Sequence, residues 1–377
     1  MINPNKLNMK NLMFIVVIAL AVLTSCNNMK DQSQKFYAFV SISDFEGKLV
    51  KVQKRVDDNL ITIDSAFVES GVAKLSGIIS SPEMLTLSFQ DVRGSVPFFA
   101  EASEITIKAS AENLRAAEIT GSVTHQRYLD FVNEFENYDE LLYQQYQAFR
   151  AADEEGKEEE KAIAEEAYNK AENEKKQFLV DFVMKNNKDV VSHYILFRNT
   201  YQFDLEELEA MVINFDTTPS SIYLEQLYDR VVVLKSVAIG MPFIDFELLT
   251  PEDSLLKLSD KVDAKLLLVD FWASWCQPCR AENPNIVSVY NDYKDKGFDV
   301  YGVSFDTEKE KWMQAIEADK LTWSHVSDLK GWGNAAGKFY GVQSIPHSVL
   351  LDENGVIIAK NLREKALRDK VAELLDK

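Results

Sequence analysis

The chain has 377 residues, of which 46% are hydrophobic and 11% aromatic, enough for two or three domains with packed cores. Its formal net charge of −19 argues against nucleic acid, or an anionic membrane face, as an electrostatically bound partner. Four histidines are too few to indicate a histidine-rich metal site.

The beginning of the chain has the pattern of an export signal. Lys6 and Lys10 precede an unbroken apolar run from Leu12 to Leu23. This run is shorter than the roughly 20 residues that a membrane-spanning helix needs, and it suits the hydrophobic part of a signal peptide. We therefore expect residues 1–25 to be removed from the mature protein.

A cysteine follows this apolar run directly. Leu23-Thr24-Ser25-Cys26 resembles a bacterial lipobox, in which cleavage leaves a cysteine that carries lipid at the new N-terminus. Cys26 is then the lipidation site, and the polar residues 26–34 form a tether to the membrane. The alternative is a plain secretory signal that ends in cysteine. Lipidation predicts a lipid-anchored protein of the cell envelope that faces the periplasm.

The other two cysteines of the chain, Cys276 and Cys279, form one C-x-x-C motif, so none remains for a structural disulfide. In an oxidising compartment, a lone C-x-x-C indicates redox activity. The alternative is half of a zinc site, which needs two further histidine or carboxylate ligands and is a minority pattern. We therefore expect no metal.

Residues 35–121 have the pattern of a β-rich domain. Apolar and polar residues alternate in short runs, and turn-forming residues separate these runs; the apolar positions include Leu85, Leu87, Phe89, Ile105 and Ile107. Several short strands with frequent turns predict a small sandwich or barrel. The segment contains no catalytic cluster or phosphate loop, so a structural or docking role is expected.

Residues 122–236 have a helical pattern. One helix face carries residues spaced three and four apart, namely Tyr128, Phe131, Phe135, Tyr138 and Leu142. A break at residues 153–156 and a second helix from about Lys157 to Met184 predict an antiparallel hairpin. Shorter helices are expected near 188–200, 204–213 and 219–235. The aromatic stripe favours a buried core, and an arm that grips substrate or forms a dimer is the alternative.

Residues 237–377 have an α/β pattern. Leu266–Phe271 and Phe298–Phe305 are apolar strands on either side of a helical stretch, Cys279–Lys296, which predicts a parallel βαβ unit. Further elements are expected at Glu308–Lys320, Trp323–Val326, Ser348–Leu351, Val356–Ala359 and Leu362–Leu375.

The C-x-x-C motif lies where the first of these strands gives way to the helix. Unpaired N–H groups and the helix dipole at a helix N-terminus favour negative charge. We therefore expect a stabilised thiolate at Cys276, with a lowered pKa, as the attacking sulfur. Cys279, one turn further along, resolves the mixed disulfide. Pro278 is tolerated in the first turn because no hydrogen bond is lost there.

Asp270 is the next candidate, because a carboxylate in an apolar strand is costly unless it is neutral or has a partner. Burial is expected to raise the pKa of Asp270 and make it a usable proton acceptor. The alternative is an acid at the strand edge whose hydrogen bonds are satisfied.

These motifs resemble a known family. The segment Val269-Asp270-Phe271-Trp272-Ala273-Ser274-Trp275-Cys276-Gln277-Pro278-Cys279 resembles the active site of the thioredoxin superfamily. Cys-Arg-Ala-Glu-Asn-Pro at 279–284 is similar to the Cys-x-x-Glu-x-Pro of its TlpA/ResA-like envelope branch. Ser344-Ile345-Pro346 matches the loop that holds a cis proline in this family. The resemblance covers residues 238–377, and the upstream regions resemble the uncharacterised N-terminal part of such lipoproteins only in architecture.

The resemblance implies a thioredoxin-like fold with a central mixed sheet flanked by helices. It implies that Asp270 helps to deprotonate Cys279 and that Glu282 lies near the dithiol and modulates it. A first-turn glutamate favoured by the helix dipole is the alternative for Glu282. The substrate groove is expected at Trp275, Gln277, Pro278, Ile345 and Pro346.

The implied function is reduction of protein disulfides, with the Cys276–Cys279 pair as the redox centre and no other cofactor. The expected partners are protein thiols and disulfides, with apocytochrome c as the family's best-known target, and a membrane electron donor. Dimerisation through the N-terminal or helical region is left open. One alternative is a thiol peroxidase, whose Pro-x-x-x-Thr-x-x-Cys loop is missing from Val269–Cys276. The other is a binding or assembly module with a vestigial dithiol.

Overall fold

A computed structural model of the chain describes residues 34–56, 59–217 and 221–376. The predicted signal peptide, the lipidation site Cys26 and the tether up to residue 33 lie outside the described residues. In the part that is described, no helix is both long and apolar enough to cross a bilayer.

The N-terminal region is a sandwich of two four-stranded sheets. Its strands are β1 Gln34–Ile42, β2 Leu49–Val56, β3 Asn59–Phe67, β4 Ala73–Ile79, β5 Glu83–Phe89, β6 Ser95–Ala100, β7 Glu104–Ala109 and β8 Glu118–Thr120. The strand orders are β4-β1-β7-β8 and β3-β2-β5-β6. The predicted alternation is confirmed, because Leu85, Leu87 and Phe89 of β5 all point into the shared core. Rings of Phe36 and Phe98, one from each sheet, meet edge to face with centroids 6.4 Å apart.

A helical region follows the sandwich. It comprises α1 Val123–Glu154, α2 Glu158–Lys185, α3 Val190–Asn199, α4 Leu205–Val212 and α5 Ile222–Ser236. Gly156 adopts a φ of 67° between α1 and α2, a conformation that glycine tolerates well and that lets the chain reverse. Phe131 is buried in the resulting hairpin and contacts Phe135, Phe178 and Phe182. The aromatic stripe is therefore a core at the sandwich end of this hairpin, as the sequence favoured.

The C-terminal region has the thioredoxin-like fold. Its strands are β9 Glu247–Leu249, β10 Leu255–Lys257, β11 Leu266–Trp272, β12 Phe298–Ser304, β13 Ser324–Val326, β14 His347–Asp352 and β15 Ile357–Lys360. Its helices are α6 Gln277–Tyr293, α7 Lys309–Ala318, α8 Ala335–Phe339 and α9 Glu364–Leu375. The main sheet has the order β13-β12-β11-β14-β15. Strands β11, β12 and β13 are parallel to each other, and β14 is antiparallel to β11 and β15, so the predicted mixed sheet is confirmed.

Several features of this region were not predicted, among them the short helix α8 Ala335–Phe339. The β9–β10 hairpin has strands of three residues, too short for an alternating pattern to be visible. Helix α6 begins at Gln277, two residues before the predicted start, and Lys294–Lys296 forms a separate 3₁₀ turn. Further 3₁₀ turns lie at Leu114–Ala116, Thr200–Gln202, Leu258–Lys261 and Gly331–Gly333.

Candidate active site around Cys276 and Cys279

The two cysteines lie where the central strand meets its helix. All seven residues of β11 are buried, and the strand ends four residues before Cys276. Cys276 is the N-cap of α6, and its Sγ accepts a hydrogen bond from the Cys279 backbone N–H at 3.2 Å. Such N–H groups would stabilise a thiolate in the reduced protein.

Cys276 and Cys279 form a disulfide with their Cα atoms 5.3 Å apart. Their exposed fractions are only 4% and 2%. The neighbouring Gln277, Pro278 and Trp275, by contrast, are exposed to solvent.

An exposed pair of tryptophans stands next to the disulfide. Trp275 is 52% exposed, and its ring centroid lies 6.1 Å from that of Trp332, which is 47% exposed. Trp332 in turn packs edge to face on Phe305 at 5.3 Å. Exposed aromatic rings at a redox site offer apolar contact area to a peptide. The sequence placed Trp275 in the groove but gave no reason to pair it with Trp332.

A polar network fixes the loop that leads to Cys276. The Asp306 carboxylate accepts hydrogen bonds from the Ser274 N–H at 3.0 Å and from the Ser304 hydroxyl at 2.7 Å. Arg280 donates to the Ser274 carbonyl at 3.1 Å and pairs with Asp319. Sequence reasoning missed these positioning contacts, because they join segments that are distant along the chain.

The loop before β14 contains the expected cis proline. The Ile345–Pro346 peptide bond is cis, and both side chains are half-buried. His347 then begins β14, with its ring 5.8 Å from that of Phe271. Its Nε2 is buried and has no hydrogen-bond partner among the described residues. Burial lowers the pKa of His347 to about 3, and the positive charges of Lys360, Arg363 and Arg230 act in the same direction, so this imidazole is neutral at physiological pH.

Asp270 is buried in the middle of β11, with 3% of its surface exposed. Burial raises its pKa from 3.8 to about 7, and the charge of Glu282 adds to this effect, whereas Arg363 opposes it. Asp270 therefore exchanges its proton near neutral pH, as a proton carrier requires.

Glu282 is also buried, on the first turns of α6. Its Oε1 accepts hydrogen bonds from the Glu364 N–H at 2.9 Å and from Asn285 Nδ2 at 2.8 Å. Glu282 does more than interact with the helix dipole, because its charge also acts to raise the pKa of Asp270 and of Arg363. Among the described residues, no cluster of histidine, cysteine, aspartate and glutamate is arranged to hold a metal ion.

Arg363 is the member of this charge group that the sequence did not reveal. It is half-buried at the N-cap of α9, and its Nη1 donates to the Ser348 hydroxyl at 3.3 Å. Burial lowers the pKa of Arg363, and the charges of Asp270 and Glu282 act against that change. The charge of Arg363 therefore opposes the rise in the pKa of Asp270, and the charges of Asp270 and Glu282 act to raise the pKa of Arg363 in return.

Replacing Arg363 by glutamine is expected to raise the pKa of Asp270 above about 7, because a cation that opposes its protonation is lost. Glutamine retains a donor for Ser348. The carboxyl titration of Asp270, followed by ¹³C NMR, measures the change. Arg368→Gln on α9, whose arginine pairs with Asp292, is the matched control. An unchanged Asp270 titration in Arg363→Gln would contradict this electrostatic role.

Comparison with known families finds two matching regions in the chain. Residues 238–375 match the Redoxin family, and residues 40–128 match a domain of unknown function, DUF4369. The thioredoxin-like protein YneN of Bacillus subtilis is 36% identical over 121 residues, which are 31% of this chain and 68% of that protein. The thiol-disulfide oxidoreductase ResA of Oceanobacillus iheyensis is 32% identical over 106 residues, which are 28% of this chain. The chain therefore spans only about half (53%) of the length of that relative.

A solved structure is similar over the same region. It is the thioredoxin domain of a thiol-disulfide oxidoreductase from Bacteroides vulgatus, with 36% identity and a TM-score of 0.35. The match covers 99% of that domain and 37% of this chain. Through its C-terminal domain, the chain belongs to the ResA/TlpA-like thiol–disulfide oxidoreductases of the thioredoxin superfamily.

Proposed function

We propose that the reduced Cys276–Cys279 pair reduces disulfides in protein substrates. The Cys276 thiolate attacks one substrate sulfur and forms a mixed disulfide, and the other substrate sulfur leaves as a thiolate. The Cys279 thiolate then attacks Sγ of Cys276, releases the second substrate sulfur and closes the enzyme disulfide. Two electrons thus pass from the enzyme dithiol to the substrate. The observation that carries the proposal is this disulfide at the first turn of α6.

In this proposal Asp270 accepts the proton of the Cys279 thiol during the second step. A pKa of about 7 leaves a substantial fraction of Asp270 ionised and ready to accept a proton at neutral pH. Glu282 contributes by raising the pKa of Asp270, and Arg363 limits that rise. Pro346 and the exposed Trp275, Gln277 and Pro278 form the groove that receives the substrate.

The proposed setting is the cell envelope. The pattern of residues 1–25 and the lipobox-like end at Cys26 support export and lipid anchoring, which would hold the redox domain close to a membrane. A dithiol of a membrane protein is the proposed reductant that returns the Cys276–Cys279 disulfide to the dithiol. Apocytochrome c in its disulfide form is the proposed substrate class, on the strength of the family resemblance.

The direction of electron flow is tested by the reduction potential. Equilibration with glutathione buffers, followed by alkylation and mass spectrometry, is expected to give a midpoint more negative than that of protein disulfide isomerase, about −180 mV. About 30 mV changes the exchange equilibrium tenfold, so the measurement discriminates well. A midpoint well above that value would rule out the reducing direction.

A further inference from the structure

A cavity of about 490 Å³ lies between the helical region and the redox domain. Arg230 of α5 lines it from the helical side, and Lys360 at the end of β15 lines it from the redox side. Ser344 and His347, which flank the Ile345–Pro346 bond on either side, also line it. The cavity therefore adjoins the loop where a substrate segment is proposed to bind.

The two regions are joined at this place. Arg230 Nη1 donates to the Gly341 carbonyl, and the Thr200 hydroxyl donates to Gln343 Oε1 at 2.6 Å. The helical region is thus held against the segment that leads to the cis proline, and it forms one wall of the cavity.

Among the residues that the structure describes, the two cations of the cavity, Arg230 and Lys360, form no ion pair with an acid. Arg230 and Lys360 are both half-buried, and within the described ranges no carboxylate lies within 4.0 Å of either. Burial lowers the pKa of Arg230 to about 10. Burial also lowers the pKa of Lys360, and the charge of Arg230 adds to that effect.

Two acids, Asp204 and Glu206, line the same cavity, but neither forms an ion pair with Arg230 or Lys360 in the described structure. The Asp204 carboxylate accepts the Glu207 N–H at 2.9 Å and so caps α4. Glu206 is exposed to solvent. The Arg230 Nε, by contrast, is buried without a hydrogen-bond partner among the described residues. Partly desolvated cations without a counter-charge are costly, and this chain retains them although its net charge is −19.

We propose that this cavity binds a carboxylate of the protein substrate, an acidic side chain in the segment that reaches the cis-proline loop. The proposal rests on the proposed function for the identity of its ligand. Arg230 and Lys360 would hold the carboxylate by charge-assisted hydrogen bonds. The helical region would thereby contribute to substrate selection, through a residue that the redox domain alone lacks.

The test uses the oxidised full chain and short alanine-based peptides that carry a central serine in place of the substrate cysteine. One series places a single glutamate at each flanking position in turn, and a matched series places glutamine there. NMR titration is expected to show about tenfold tighter binding for the best glutamate peptide than for its glutamine counterpart. Because these peptides contain no sulfur, the result does not depend on redox activity.

Arg230→Gln and Lys360→Gln are expected to abolish this preference, each with only a small effect on the glutamine peptides. Lys365→Gln and Arg368→Gln on α9, whose side chains pair with Asp369 and Asp292 and do not line the cavity, are the matched controls and should retain it. Equal binding of the two series by the native chain, or a preference that survives both cavity variants, would overturn the proposal. N-acetylglutamate that binds as tightly as the best peptide would also overturn it, because the ligand would then be a free small carboxylate.

Failure of the proposed function has a separate signature. To test this, the central serine of the glutamine peptides is replaced by cysteine and two such peptides are joined by a disulfide. If the proposed function is wrong, the reduced native chain would not reduce this disulfide, whatever the binding titrations show. Arg230→Gln also removes the hydrogen bond to the Gly341 carbonyl and could therefore loosen the contact between the two regions. Lys360→Gln tests the binding preference without this side effect, since the Lys360 side chain makes no such contact in the described structure.

Discussion

Asp270→Asn is expected to stabilise the oxidised protein by about 4 kcal/mol at pH 8, because the difference between a pKa of 3.8 and one of about 7 corresponds to that free energy. In the folded chain, Asp270 must be ionised at this pH in a buried strand, whereas in the unfolded chain its carboxylate is hydrated. Asparagine has nearly the same shape and needs no ionisation. Urea unfolding of the redox domain, followed by tryptophan fluorescence, measures the change.

The pH dependence has a definite sign. The folded state binds the Asp270 proton more tightly than the unfolded state does, so stability falls as pH rises between about 4 and about 7. Below that window Asp270 is protonated in both states, and the variant and the native chain should differ little from this cause. Asp295→Asn, at an exposed position just after α6, is the control and should not show this pH-dependent gain. A stability difference that does not vary with pH would contradict the raised pKa.

Asp270→Asn is also expected to turn over substrate about 10²-fold more slowly at pH 7, because it lacks the proposed proton acceptor for Cys279. Gain of stability with loss of turnover would show that the buried carboxylate is retained for chemistry. Insulin reduction with dithiothreitol measures turnover, and Asp295→Asn serves again as the control. Unchanged turnover with raised stability would limit Asp270 to a structural role.

The redox domain was predictable because its signals are local. An apolar strand, a C-x-x-C motif and a helical pattern follow one another directly, and Ile345–Pro346 stands just before another strand. Each signal depends only on residues that are close together in the sequence, so it can be recognised without knowing the fold. Asp270 was found in the same way, as an acid in an apolar strand, whereas Glu282 was singled out by the resemblance of residues 279–284 to the family motif.

The contacts that tune the site were not predictable in this way. Arg363 reaches Asp270 and Glu282 from the start of the last helix, and Asp306 reaches Ser274 from the end of another strand. Nothing in the local pattern of either residue distinguishes it from a surface charge. Their partners are defined only by the packing of β11 between β12 and β14.

The helical region shows the same limit at a larger scale. Its aromatic stripe predicted a buried core, and Phe131 lies in one. The sequence gave no indication that α5 would lie against the cis-proline loop, because Arg230 has the spacing of an ordinary helix residue. Its contact with Gly341 becomes visible only in the assembled fold.

Cys279→Ser is expected to lower turnover by at least about 10³-fold and to accumulate a mixed disulfide between Cys276 and the substrate. The attacking sulfur remains in this variant, but the sulfur that would release the substrate is gone. Non-reducing electrophoresis and mass spectrometry of the adduct identify both the trapped partner and the cysteine that holds it.

Cys276→Ser is the matched control, since it removes the other sulfur of the same disulfide. It should lose turnover to a similar extent but form no adduct, because Cys279 lies inside the first turn of α6 and lacks the N-cap position that favours a thiolate at Cys276. This asymmetry separates the possible functions. Equal adducts on both variants would contradict the assigned order of attack, and peroxide consumption that survives in Cys279→Ser would indicate a thiol peroxidase. Turnover that is the same in both variants and the native chain would leave the dithiol without a catalytic role.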